Sequence, residues 1–302
     1  MWIPLALLAA FSQSFESAIK KKSLQVSGMN TVIGAVSFMV AGFAFFIIML
    51  AQTGKPWYPD LSVRFWEGMF WYAGLNIVAS WYGYKALDIA EFAFLAPFIA
   101  LTSLTMVIPP IFVLGEVPSP ASLIGIAFIA IGSVVMTYQR KSKEDMSESE
   151  LERHRNNRKG LLFFLITAAC FTFTPTATKV TVQESSPMFA SFLVHTLIGV
   201  GFLVMTFVVR RTDKLISVFT DSAKRKFLLA IVVMGLLTFL ENGSISTAMT
   251  MASVSTVMAM KRTAPLFSFL IGMYYFKERT EIRKKMIGTL LMVAGAVLVT
   301  AL

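Results

Sequence analysis

The stretch QRKSKEDMSESELERHRNNRKG, residues 139–160, decides how the rest of the sequence is read. It is the only long polar run in a 302-residue chain that is 56% hydrophobic and 15% charged, with a mean hydropathy of +0.70. That composition belongs to a polytopic membrane protein and excludes a soluble globular domain. A spanning helix needs about 20 mainly apolar residues, and such runs lie on both sides of the polar stretch. Before it come 3–19, 31–51, 66–86, 90–114 and 120–138; after it come 160–178, 188–209, 227–248, 253–276 and 285–301. The expected fold is therefore an all-α membrane protein with ten transmembrane helices, in which 139–159 is a solvated polar linker between five spans and five.

The even split prompts a search for an internal repeat. Ala18 and Lys20 match Ala177 and Lys179 at an offset of 159, and Ala86, Ala90 and Glu116 match Ala248, Ala252 and Glu278 at 162. Past one more inserted residue, Ile124, Gly125, Gly132 and Val134 match Ile287, Gly288, Gly295 and Val297 at 163. The order is collinear, so residues 1–138 and 160–302 read as two copies of one five-helix unit. An odd number of helices per copy starts the second from the opposite side of the bilayer, which makes the repeats inverted, an arrangement common in secondary transporters.

The net charge of +10 is not a nucleic-acid footprint, because the charges cluster between apolar runs. Of the 27 Lys and Arg, 22 fall at the loops after odd-numbered spans, so the positive-inside rule places both termini outside the cytoplasm. Lys20, Lys21 and Lys22 follow the first apolar run instead of preceding it, and that run reads as a helix, not a secretory leader. The lone Cys170 has no partner for an intrachain disulfide. No HExxH, paired-aspartate or nucleotide-binding loop motif is present, so ATP hydrolysis and the common intramembrane hydrolases lack the residues they need. Neither a metal nor a cofactor is implied, and the chain is not expected to be an enzyme.

The segments ALDIAEFAFLAPF (86–98) and FVLGEVPSPASLIGIAFIAIGSVV (112–135), echoed by AMTMASVSTVMAMKRTAPLFSFLIGMYYFKERTEIRKKMIGTLLMVAGAVLV (248–299), resemble the drug/metabolite transporter superfamily, in particular its ten-helix proteins with two EamA-like domains. IGTLLMVAGAVLV (287–299) is also similar to the last helix of the small multidrug resistance proteins. The resemblance implies export or exchange of small metabolites by alternating access, around a cavity lined by the third, fourth, eighth and ninth spans. The expected setting is a bacterial or archaeal inner membrane. Expected partners are the lipid bilayer, a small-molecule substrate and a counter-substrate or protons, with the chain as monomer or homodimer and no nucleic acid.

Within this frame Lys261 and Arg262 stand out, two cations well inside an apolar run. Each costs about 2.5–3.5 kcal/mol near a helix centre on insertion scales, so intramembrane charge is a functional hypothesis by default. Plastid phosphate translocators carry a similar Lys-Arg pair that holds the substrate phosphate, together with a first-half lysine; here that first-half place falls at Ile99, with Ala100 beside it. The competing explanation is structural, because Glu241 lies at a similar height across the short 249–252 turn and can neutralise Lys261. Asn242, His195, Asn76, Thr172 and Tyr72 are the other candidate substrate-binding residues at compatible depth, with His195 alone reading better as a satisfied core residue. Glu16 reads as one side of a gate ion pair with Lys20 or Lys85, or as a proton-coupling carboxylate. The substrate is accordingly expected to carry an acidic or phosphate group. The alternatives are a proton-coupled exporter of cationic or aromatic compounds working through Glu241 or Glu16, and a lipid-linked flippase or intramembrane enzyme.

Overall fold

Serine and proline punctuate the start of several helices. Ser62 Oγ accepts from Phe65 N–H at 3.0 Å, Ser119 Oγ from Ser122 N–H at 3.1 Å and Ser186 Oγ from Phe189 N–H at 3.2 Å. Pro120 and Pro187 then occupy the first helical position, where the missing N–H is harmless and the fixed φ suits the helix. The computed structural model describes residues 1–24, 30–52, 59–90, 95, 102, 104–137, 148–221, 224–274 and 282–300. Its elements are α1 (Trp2–Leu24), α2 (Asn30–Ala51), α3 (Val63–Ile89), α4 (Ile108–Leu114), α5 (Pro120–Thr137), α6 (Glu148–Gln183), α7 (Pro187–Val208), α8 (Thr212–Thr220), α9 (Arg225–Ala248), α10 (Val254–Lys261), α11 (Ala264–Tyr274) and α12 (Ile282–Thr300). Among the described residues the protein is all-helical, and the segments 31–51, 155–183, 187–208 and 226–248 are long and apolar enough to cross a membrane.

Three elements depart from the sequence expectation. The second half of the polar stretch is helical: α6 is one 36-residue helix from Glu148, about 54 Å long at 1.5 Å per residue, so its polar first turns outreach a hydrocarbon core of about 30 Å. Strong helix formers and the Glu150/Arg153 and Glu152/Arg155 spacings favour that extension. Residues 212–220, expected as loop, form α8, because Val218 and Leu215 pack onto a core of Val32, Ile33, Ile231 and Met234. The expected span 253–276 is broken into α10 and α11. Within the expected span 90–114, residues 91–94, 96–101 and 103 lie outside the described residues, among them Pro97, Ile99 and Ala100; Pro109 and Pro110 stand in the first turn of α4.

The chain forms two compact units, Met1–Ile77 with Thr174–Ala252, and Val78–Phe173 with Ser253–Leu302. Each draws on both halves of the sequence, and α3 and α6 each contribute one end to each unit. In the first unit α1 packs on α9, α2 packs on α7 and α9, and Gly68 of α3 meets Val180 and Thr181 of α6. In the second, α12 lies against α5, and Thr167 of α6 donates to the Ala79 carbonyl of α3 at 3.1 Å.

The distribution of side chains reverses that of a water-soluble bundle. Phe43, Ile47 and Leu50 on α2, Val200, Val204 and Phe207 on α7, and Met286, Leu290, Val293 and Val297 on α12 form exposed apolar stripes at helical spacing. Small hydroxyl residues share the buried positions with the apolar core. Ser14, Ser37, Thr178, Thr206 and Thr238 each return their hydroxyl to the carbonyl four residues back, which satisfies the polar atom and leaves a slim surface for a neighbouring helix. This is the pattern of helices solvated by lipid.

Candidate functional site

The two adjacent cations sit at a backbone break. Ser253 opens α10, accepting from Thr256 N–H at 3.3 Å, and α10 runs eight residues to Lys261. Arg262 N–H then folds back on the Met258 and Ala259 carbonyls at 3.1 and 3.0 Å, Thr263 N–H reaches Met260 O at 3.1 Å, and α11 begins at Ala264. Pro265 has no N–H to offer the Lys261 carbonyl, so a continuous helix cannot close there. The break also places the negative end of the α10 dipole at Lys261 and the positive end of the α11 dipole just after Arg262.

Arg262 is oriented by residues that sequence reading missed. Its Nη2 donates to Thr102 Oγ1 at 2.9 Å and approaches Met106 S at 3.8 Å. Thr102 is buried, and its carbonyl accepts from Thr105 Oγ1 at 3.1 Å. Thr105 Oγ1 also lies 2.8 Å from Thr172 Oγ1, which lies 3.0 Å from Ala168 O, so one of the two hydroxyls gives its single proton to the other instead of to a carbonyl. The second unit thus connects Arg262 to the expected Thr172 through the side chain and the backbone carbonyl of Thr102 and the hydroxyl of Thr105, with Lys261 next to Arg262 in sequence at the break. A guanidinium held by a neutral hydroxyl at the start of a helix, with a lysine as its chain neighbour, suits a carboxylate or phosphate. Lys85, in the same unit, lies over aromatic faces, 4.8 Å from the Trp81 ring centroid, 5.8 Å from Tyr82 and 5.9 Å from Phe163.

The remaining expected residues belong to the first unit. Tyr72 and Glu241 are both buried; the Tyr72 side chain hydrogen-bonds Thr178 and lies within electrostatic reach of Glu241. Asn76 Nδ2 donates to the Tyr72 carbonyl at 2.8 Å, and Asn242 Nδ2 donates to the Thr238 carbonyl at 3.0 Å. His195 is 2% exposed, its Nδ1 lies 2.6 Å from Ser191 O, and its ring sits 5.1 Å from Phe45 and 5.9 Å from Phe38. It is a packed core histidine. Glu16 is half-buried on α1, and the side chain of Lys20 lies outside the described residues. Glu241 and Lys261 therefore fall in different units.

A crystal structure of a protein at 16% identity has a similar fold, with a TM-score of 0.72 over 99% of this chain and 96% of its own. No curated protein matches the sequence. The model of the EamA-like transporter family matches residues 158–301, the segment that holds α7 to α12 and most of α6 and that carries the broken helix with its two cations. Residues 158–301 are therefore similar to the EamA-like transporter family, in accord with the drug/metabolite transporter superfamily, and with the long apolar helices this supports a multi-pass integral membrane protein.

Proposed function

We propose that the protein is a secondary transporter, an exporter or exchanger, of a small organic metabolite bearing an acidic or phosphate group. The observation that carries this reading is the break at Lys261–Arg262, where Arg262 Nη2 is held 2.9 Å from Thr102 Oγ1 between two half-helices. Broken helices with charged residues at membrane depth mark substrate sites in transporters. Alternating access follows from ten spans arranged as two inverted five-helix repeats in an inner membrane. The helix contacts support that arrangement: the repeat pairs α1 with α6 and α3 with α9, which maps the α1–α9 contact onto the α3–α6 contact and returns α2–α7 and α5–α12 to themselves.

The test is counterflow in proteoliposomes loaded in turn with inorganic phosphate, glycerol 3-phosphate and a dicarboxylate. Accumulation of labelled anion against the same unlabelled anion, lost in Arg262→Gln, is expected. Uptake only of an aromatic cation, driven by a pH gradient, would replace this reading with proton-coupled export through Glu241, which is buried near Tyr72. Chemical conversion of a loaded compound would instead indicate an enzyme.

A further inference from the structure

The chain leaves α7 by a turn that glycine usually makes and that arginine makes here. Arg210 N–H bonds to Phe207 O at 3.0 Å and Arg211 N–H to Thr206 O at 2.9 Å, which closes the helix with Arg210 in the left-handed region at φ +52°. Among the described residues it is the only non-glycine with a positive φ, and its side chain is exposed. The charge is therefore placed at a conformational cost that glycine would not incur. α8 follows at once, and its apolar face is wider than the protein uses. At about 100° per residue, Val218, Leu215, Phe219 and Ile216 fall within one arc of about 160°. Val218 and Leu215, on one edge of the arc, pack onto Val32, Ile33, Ile231 and Met234. Ile216 and Phe219, on the other edge, remain 56% and 60% exposed. The opposite side carries Asp213, Lys214, Ser217 and Thr220 and is braced by Lys224, whose Nζ donates to Ser217 Oγ at 2.8 Å. Residues 210–226 hold six Lys or Arg against two Asp, and Arg210, Arg211, Lys214 and Lys226 are exposed, so the surround of the free apolar edge is cationic.

We infer that α8 and the turn before it are a docking surface for anionic phospholipid, in which Ile216 and Phe219 enter the acyl boundary of the adjoining leaflet while Arg210, Arg211 and Lys214 take the headgroup phosphates. A helix with half of its apolar arc on protein and half free, flanked by cations, is built to lie in the plane of a membrane interface. Its depth follows from α7, an apolar span that ends at Val208 with Val204, Phe207 and Val208 exposed, so the turn at 209–211 leaves a lipid-facing helix where the hydrocarbon ends. The charge selects the lipid. A zwitterionic headgroup offers little net attraction, whereas an anionic leaflet draws each exposed cation, and the positive-inside count sets this loop, after the seventh span, at the cytoplasmic leaflet where anionic lipids are found. All of these residues belong to the first unit, so the inference is independent of Lys261 and Arg262.

The test places the full-length protein in nanodiscs of phosphatidylcholine alone or of phosphatidylcholine mixed with phosphatidylglycerol. Hydrogen exchange is followed by mass spectrometry for peptides covering 209–221 and, as a control for the lower surface pH of an anionic bilayer, 148–158. The expected result is exchange at 209–221 slowed about tenfold or more by phosphatidylglycerol in the wild type, with no change at 148–158. That protection should vanish when Arg210→Gln, Arg211→Gln and Lys214→Gln are combined, and also in the double change Ile216→Ser with Phe219→Ser, which keeps every cation. Arg210→Gly, which relieves the left-handed backbone, should leave the melting temperature in phosphatidylcholine unchanged or higher while weakening the protection by phosphatidylglycerol. No slowing at 209–221 in the wild type, which needs no variant to fold, overturns the inference. So does protection that survives the triple or the double change. Equal protection from inorganic phosphate added to phosphatidylcholine discs would overturn it as well, by making the turn a site for a soluble anion.

Discussion

Arg262 and Thr102 show how a single hydroxyl fixes the direction of an intramembrane charge. Thr102 accepts one guanidinium proton at 2.9 Å, so Thr102→Val removes the acceptor and leaves a shape-matched methyl. A hydrogen bond to a charged group contributes about 1.5–3 kcal/mol, so this change should weaken anion binding by about ten- to a hundredfold, read as KM in counterflow, with normal expression. His195 gives the opposite expectation. Its ring is enclosed by Phe38 and Phe45 and bonded to Ser191 O, so His195→Ala should lower the melting temperature by several degrees and leave the pH dependence of transport unchanged. A shift in the pH profile would move His195 into the transport mechanism. The sequence made Lys261 and Arg262 conspicuous because charge is rare in an apolar run. It hid Thr102 and Thr105, because a threonine in such a run can satisfy itself locally, as Thr178 does against Thr174 O, and nothing in its spacing separates the two uses.

Among the elements, the close crossing of α5 and α12 is the most demanding. A Cβ built on Gly132 lies 2.6 Å from the Gly288 carbonyl, and one on Gly125 or on Gly295 lies 2.6 Å from the carbonyl of the other. The pairing runs antiparallel, 125 with 295 and 132 with 288, and the spacing of seven keeps each pair of glycines on one face. Gly132→Ala must push the helices apart and should cost about 1–3 kcal/mol, whereas Gly74→Ala, with nothing within 4 Å, should be neutral or stabilising by up to about 1 kcal/mol. Thermal unfolding in detergent distinguishes the two; a tolerated Gly132→Ala would refute the crossing. The glycine spacing was readable from sequence as a packing face. The break after Lys261 was less so: Pro265 announces a lost hydrogen bond, yet the surrounding residues remain apolar enough to fill a single span. The helix α8 escaped because its nine residues are too short for a span and are stabilised by contacts with α2 and α9.

For the whole molecule, the charge asymmetry sets a topology that labelling can check. A cysteine at Ser142, in a Cys170→Ser background, should be protected from an impermeant maleimide in intact cells and react after permeabilisation, because the flanking residues are strongly basic. Reaction in intact cells would invert the assignment. The compact units were not legible in the sequence, since each is assembled from distant segments: α5 finds α12, and α1 finds α9, across much of the chain. That connectivity has a consequence for biogenesis. The glycine face of α5 is inserted with no protein to cover it, and its partner emerges from the ribosome only after almost half the chain has been made, on the order of ten seconds later at ordinary elongation rates. In that interval α5 meets lipid or any passing helix with a similarly slim flank. A nascent chain stalled before residue 282 is then the form most open to capture by insertion chaperones, by quality-control proteases, or by another copy in the same translocation queue.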